Sequence, residues 1–152
     1  MSRPSREAAL IATAFIWANR STCNRLSVGA VVHREGRILT QGYNGAPSGL
    51  IHCNYPHEPE ECRAVHAEQN AIAFAARWGV GLDGAGIVTT HQPCLNCARL
   101  IINAGLTSVL YVSSYRLVEG LELLYEAGSD VRQRAVDWET MKQILLGHDE
   151  TH

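Results

Sequence analysis

His66 and Glu68, two residues apart in V-H-A-E-Q-N-A, and Cys94 and Cys97 in P-C-L-N-C are the side chains of this 152-residue chain best suited to chemistry. An imidazole and two thiolates are a zinc ligand set, and three protein ligands leave the fourth tetrahedral position open, the catalytic rather than the structural arrangement. Pro93 suits a helix start just after it, and a spacing of three then puts both thiols on one helix face. A helix N-terminus and a bound cation both lower thiol pKa, making thiolates available as ligands. Alone, C-x-x-C is equally a redox pair or two small core residues. Glu68 alone is an acid favoured by a helix dipole, and His66 a capping or core histidine. The four together are far more specific than any one.

The spacing of His66 and Glu68 poses a problem of geometry, because residues two apart on a helix do not face each other. A helix beginning at His66 answers it: side chains tilt toward the N-terminus, so first-turn residues reach past the helix end and converge there from opposite sides. His66 then ligates a metal beyond that end, while Glu68 stays near it without binding.

Other elements must hold these residues. Residues 5–19 read as an apolar helix, with Leu10, Ala14 and Trp17 on one stripe and Ile11, Phe15 and Ala18 beside it. S-V-G-A-V-V-H, the turn R-E-G-R and I-L-T-Q-G-Y read as a β-hairpin. Residues 44–64, rich in proline and glycine and without period, are a long loop of a kind usually functional or specially anchored. A helix follows from His66 to a stop at Gly79, then a strand in A-G-I-V-T-T, a helix in L-N-C-A-R-L-I-I-N-A-G and a strand in T-S-V-L-Y-V-S. L-V-E-G-L-E-L-L-Y-E-A-G is a further helix, with a weak strand at Asp130–Arg132 and a last helix at Asp137–Leu146. Alternating strands and helices imply crossovers. The expectation is one α/β domain over residues 1–152: three α/β/α layers around a five-stranded, mixed, mainly parallel sheet.

Bulk properties narrow the function class. Hydrophobic residues at 46% and charged residues at 18% are ordinary for a globular domain. A net charge of -2 supplies no global basic field for a polynucleotide. No apolar run reaches the roughly 18–20 residues of a membrane span. The N-terminal apolar run A-A-L-I-A-T-A-F-I-W-A leads into N-R-S-T-C-N-R, not a small-residue cleavage site, and reads as a buried helix. Five cysteines without an export signal point to reduced thiols, some of them metal ligands, in the cytoplasm, or the host cytoplasm if phage-encoded.

H-x-E followed by P-C-x-x-C is the zinc deaminase signature. With S-V-G-A-V-V, G-Y-N-G-A-P-S-G, H-A-E-Q-N-A-I, F-A-A-R-W-G, P-C-L-N-C-A-R-L-I-I-N-A-G and V-L-Y-V-S-S-Y, spanning roughly residues 21–128, the chain resembles the deoxycytidylate (dCMP) deaminases of the cytidine deaminase superfamily. Phage-type and bacterial competence-type members are the nearest in pattern. The resemblance implies the cytidine deaminase-like fold and zinc-dependent hydrolysis of dCMP to dUMP and ammonia, feeding thymidylate synthesis. It implies zinc on His66, Cys94 and Cys97, with Glu68 as proton shuttle. Asn44 would meet the deoxyribose, and the Ala67 backbone the base. A homo-hexamer activated by dCTP and inhibited by dTTP is a further expectation. Phosphate needs donors or positive charge, and Arg25, Tyr115 and Arg116 are the candidates by position.

His91 and Gln92 depart from the small or hydroxyl residues that relatives carry before P-C, which bears on base recognition and on 5-substituted dCMP as an alternative substrate. Some phage-type relatives carry a second, structural zinc near the G-Y-N-G loop, and Cys23, Cys53, His57 and Cys62 are the best set for it here; free thiols are the alternative. Two rival functions stand beside dCMP deamination. One is deamination of tRNA or single-stranded nucleic acid, which needs a basic path for the backbone. The other is a non-catalytic, zinc-stabilised nucleotide-sensing module, against which the presence of Glu68 counts.

Overall fold

The computed structural model describes residues 3–54 and 56–147. Ser5 caps the first helix, α1 (Arg6–Ala18), its Oγ accepting from the Ala8 N–H at 3.0 Å. The hairpin pairs β1 (Gly29–Arg34) with β2 (Arg37–Tyr43). Its two turn residues, Glu35 and Gly36, both have positive φ, 52° and 79°, the requirement of a type I′ turn whose twist matches the strands it joins. Then follow α2 (Ala67–Trp78), β3 (Gly86–His91), α3 (Leu95–Asn103), β4 (Ser108–Ser113), α4 (Glu119–Glu126), β5 (Asp130–Gln133) and α5 (Trp138–Leu146).

The strands form one mixed sheet in the order β2-β1-β3-β4-β5. β1 lies antiparallel to β2 and β3, whereas β3, β4 and β5 pair in parallel. Only β1 is reversed, because the first strand of the hairpin, not the second, meets the crossover strands. Ala30, Val32, Ile87 and Val109 face α2, α3 and α4. Their neighbours Val31, Val88 and Leu110 face Leu10, Ile11 and Ala14 of α1 and Met141 of α5. Strands buried on both faces read as unbroken apolar runs, as these do. Each fully buried Val, Leu or Ile side chain contributes about 1.5–3 kcal/mol.

Two glycines set how closely helices approach the site. A Cβ on Gly42 of β2 would overlap the Ala67 carbonyl oxygen and crowd the Ala71 nitrogen. The first turn of α2 therefore rests directly on the strand, where Thr40 Oγ1 donates to the Ala71 carbonyl at 3.1 Å and Asn70 Nδ2 to the Tyr43 carbonyl at 2.8 Å. Gly120 in α4 likewise leaves room for the backbone of Pro93 and Cys94, whose nearest atom lies 2.5 Å from where its Cβ would stand.

The long loop is closed at its base. Gly45 and Val65 form an antiparallel bridge, with N–H to carbonyl distances of 3.1 and 2.8 Å. A short 3-10 turn, Pro59–Glu61, lies inside it, and Tyr55 falls outside the described residues. Among the described residues, no helix is long and apolar enough to cross a membrane.

Candidate metal centre and cleft

The helix expected from His66 begins one residue later. His66 is the N-cap of α2, with extended backbone (φ -70°, ψ 157°), and its N–H donates to Gln69 Oε1 at 2.9 Å. Cys94 is likewise the N-cap of α3 (φ -74°, ψ 171°), with Cys97 buried in the first turn. The spacing problem of His66 and Glu68 thereby dissolves. His66 is not on the helix, so its side chain is free of helical phase and turns toward the thiols, while Glu68 projects from the first turn beside them.

His66 Nδ1 lies 3.4 Å from Cys94 Sγ and 3.4 Å from Cys97 Sγ, and the three ligand atoms all stand within 4.8 Å of one another. Tetrahedral zinc with Zn–S of about 2.3 Å and Zn–N of about 2.0 Å requires a sulfur-to-nitrogen edge of about 3.5 Å. Donor types and spacing thus fit zinc. Glu68 is 4% exposed, and its Oε2 accepts from the Cys97 thiol at 3.5 Å.

Without metal, the cluster divides its protons unevenly. The hydrogen bond from the Cys97 side chain, reinforced by His66, holds the Cys94 thiol down to about 3, a thiolate at neutral pH. Cys97 keeps its proton: sharing with Cys94 and burial both raise it. The Cys94 hydrogen bond raises His66, and burial raises Glu68. A dication among them supplies the charge that frees the second thiol, so binding releases protons.

These groups stand at one end of a cleft of about 190 Å³. Its walls are Arg25, Leu26, Val28, Asn44, Ala64, His66, Ala67, Glu68, His91, Gln92, Cys94 and Tyr115. Of the residues singled out in the sequence, Asn44, Ala67, Arg25 and Tyr115 therefore share the cleft with the catalytic candidates. Arg116 does not: it is exposed and outside the cleft wall. Leu26, Val28 and Ala64 had no signal of their own, since nothing in an isolated Leu, Val or Ala marks it as cleft lining. A larger concavity, of about 380 Å³, lies away from the cluster, over β2 and the outer side of α2.

Asn44 is mostly committed to structure. Its Nδ2 donates to the Leu26 carbonyl at 2.7 Å and its Oδ1 accepts from the Val28 N–H at 2.8 Å, leaving one hydrogen and one lone pair for a ligand. Burial lowers the pKa of His91 from the ordinary imidazole range. Thr90 Oγ1 accepts from the Gly29 N–H at 3.1 Å and lies 2.9 Å from His91 Nδ1.

Cys53, His57 and Cys62 form a second cluster, with ligand atoms within 4.8 Å of one another. His57 Nδ1 lies 2.8 Å from the Glu58 carbonyl. A carbonyl only accepts, so the proton sits on Nδ1 and the lone pair on Nε2, the arrangement typical of a metal-ligating histidine. Cys53 Sγ accepts from the Arg63 N–H at 3.2 Å, and this bond holds its thiol below the ordinary range. Cys23, expected in the same set, is not brought into this cluster.

The chain matches the family model of the cytidine and deoxycytidylate deaminase zinc-binding region over residues 4–113. ComE operon protein 2 of Bacillus subtilis is 40% identical over 146 residues, covering 90% of this chain and 75% of that protein. The deoxycytidylate deaminase of Mycobacterium phage D29 is 36% identical over 126 residues, covering 73% of this chain and 97% of its own. The crystal structure of dCMP deaminase from cyanophage S-TIM5 in complex with dCMP and dUMP superposes with a TM-score of 0.79 at 33% identity, covering 88% of this chain and 100% of that one. The metal-ligand geometry and these matches agree: the chain belongs to the zinc-binding cytidine and deoxycytidylate deaminase family.

Proposed function

We propose that the protein hydrolyses dCMP to dUMP and ammonia. The observation that carries this is the buried carboxylate of Glu68 beside the His66, Cys94 and Cys97 donor set, facing a cleft of about 190 Å³. Zinc held by those three residues supplies Lewis acidity, bringing the pKa of water from about 16 to about 7. Everything else falls to the chain. Glu68 takes a proton from the attacking water and gives it to the cytosine ring nitrogen. It then moves the proton of the hydroxyl so added to the ring carbon onto the amino group, and the carbon–nitrogen bond breaks to leave the uracil carbonyl and ammonia. Burial favours the protonated carboxyl in that cycle. The backbone of Ala67, in the cleft wall, meets the base, and the remaining hydrogen and lone pair of Asn44 face the sugar. Arg25 and Tyr115, in the cleft wall, provide charge and a hydroxyl for the phosphate; Arg116 is exposed beside Tyr115, outside the wall.

We further infer a second zinc on Cys53, His57 and Cys62, supported by their mutual approach and by the tautomer of His57; a structural, four-coordinate role takes one further ligand beyond these three. Self-association with dCTP and dTTP control is the expectation the family brings.

Ammonia release from dCMP, deoxycytidine and a cytosine-containing oligonucleotide, measured with and without dCTP and dTTP, tests the reading. dCMP is the expected substrate, and Arg25→Ala should raise KM for dCMP far more than for deoxycytidine. Turnover of the oligonucleotide alone would instead favour a nucleic-acid deaminase.

A further inference from the structure

Two buried carboxamides flank the cleft, Asn44 and Gln92, each 7% exposed. Asn44 ties down the segment after Arg25, as described above. Gln92 does the same on the opposite wall. Its Nε2 donates to the Leu117 carbonyl at 2.7 Å, and its Oε1 accepts from the Tyr115 N–H at 3.0 Å. The chemistry of the partners fixes the orientation, since an N–H needs the oxygen and a carbonyl needs the NH2.

The segment so held, between β4 and α4, has no strand ladder or helix of its own. Gln92 is itself anchored, its backbone N–H donating to the Ser113 carbonyl at 2.8 Å. On its other side the segment meets Gln133, whose Nε2 donates to Ser114 Oγ at 2.8 Å and to the Val112 carbonyl at 3.1 Å. Tyr115 lines the cleft, while Arg116, between the two latch points, and Leu117 are exposed.

We infer that Gln92 is a positioning residue for the nucleotide: its carboxamide latches the Tyr115–Leu117 backbone to the end of β3 and so holds the Tyr115 hydroxyl at the phosphate end of the cleft. The inference rests on dCMP as the substrate. A latch of this kind requires donor and acceptor together. Glutamate, nearly the same shape, accepts from the Tyr115 N–H but has no proton for the Leu117 carbonyl and sets an anion against it. Serine, shorter, cannot span both partners.

Gln92→Glu and Gln92→Ala, with Tyr115→Phe and the double variant Gln92→Glu/Tyr115→Phe, separate this role from general stability. In zinc-loaded protein, Gln92→Glu should raise KM for dCMP about tenfold, as for a lost hydrogen bond to a charged group. Zinc content should stay as in wild type, and KM for deoxycytidine should rise far less than KM for dCMP. Because Gln92 acts through Tyr115, the double variant should be no worse than Tyr115→Phe. Additive effects, or an equal rise for dCMP and deoxycytidine, would overturn the assignment. Hydrogen exchange of the backbone amides at 114–118 tests the latch whether or not dCMP turns over. Faster exchange in Gln92→Glu and Gln92→Ala supports it, and unchanged exchange overturns it. A wild-type protein inert toward dCMP but with latch-dependent exchange would refute the substrate while leaving the latch intact.

Discussion

At the scale of single residues, the division of labour follows from where each side chain leaves the backbone. His66 and Cys94 are N-caps, released from helical phase, and Cys97 and Glu68 sit in the first turns behind them. Glu68 neighbours Cys97 Sγ at 3.5 Å, so it stands at the donor set without belonging to it. Glu68→Gln should therefore bind zinc as wild type does and lose at least about 10²-fold in turnover, the loss of a general acid–base. His66→Ala should instead lose the catalytic zinc, read by metal analysis. Near-normal turnover in Glu68→Gln would remove the proton shuttle from the mechanism. The four residues themselves were legible in the sequence because H-x-E and P-C-x-x-C keep local spacing. The hydrogen bonds of Asn44 and Gln92 were not, since their partners lie 16 to 25 residues away in sequence and only the fold brings them together.

At the scale of elements, the apolar runs and glycine stops marked the helices and strands, because strands buried on both faces have no polar interruptions. The mixed sheet and the hairpin were legible, but the strand order, with β1 between β2 and β3, was not, since pairing order depends on long-range packing and not on strand pattern. The long loop after β2 was recognisable from its prolines and glycines, and its closure by the Gly45–Val65 bridge explains how so long a segment stays in place. Cys53, His57 and Cys62 within it are local in sequence and meet; Cys23, distant in sequence, is not drawn in. Purified wild-type protein should then hold two zinc ions per chain, and Cys62→Ser one, with deamination largely retained because the loop cluster is separate from the His66 set. One zinc in both proteins would assign the loop thiols to no metal.

At the scale of the whole molecule, the three layers bring the N-termini of α2 and α3 to a common point beside the carboxyl end of β3, the place where open α/β sheets bind ligands. The same ends present partial positive charge to an anionic substrate and to thiolates. A net charge of -2 leaves attraction for a phosphate to local groups such as Arg25 rather than to the overall field. The claim that unites these scales is zinc-dependent deamination of dCMP, and stripping and restoring the metal tests it most directly. Zinc-loaded wild-type protein should convert dCMP to equal amounts of dUMP and ammonia, stop when a chelator removes the metal, and resume when zinc returns. Fully zinc-loaded protein that forms no dUMP, or a rate unchanged by metal removal, would contradict it.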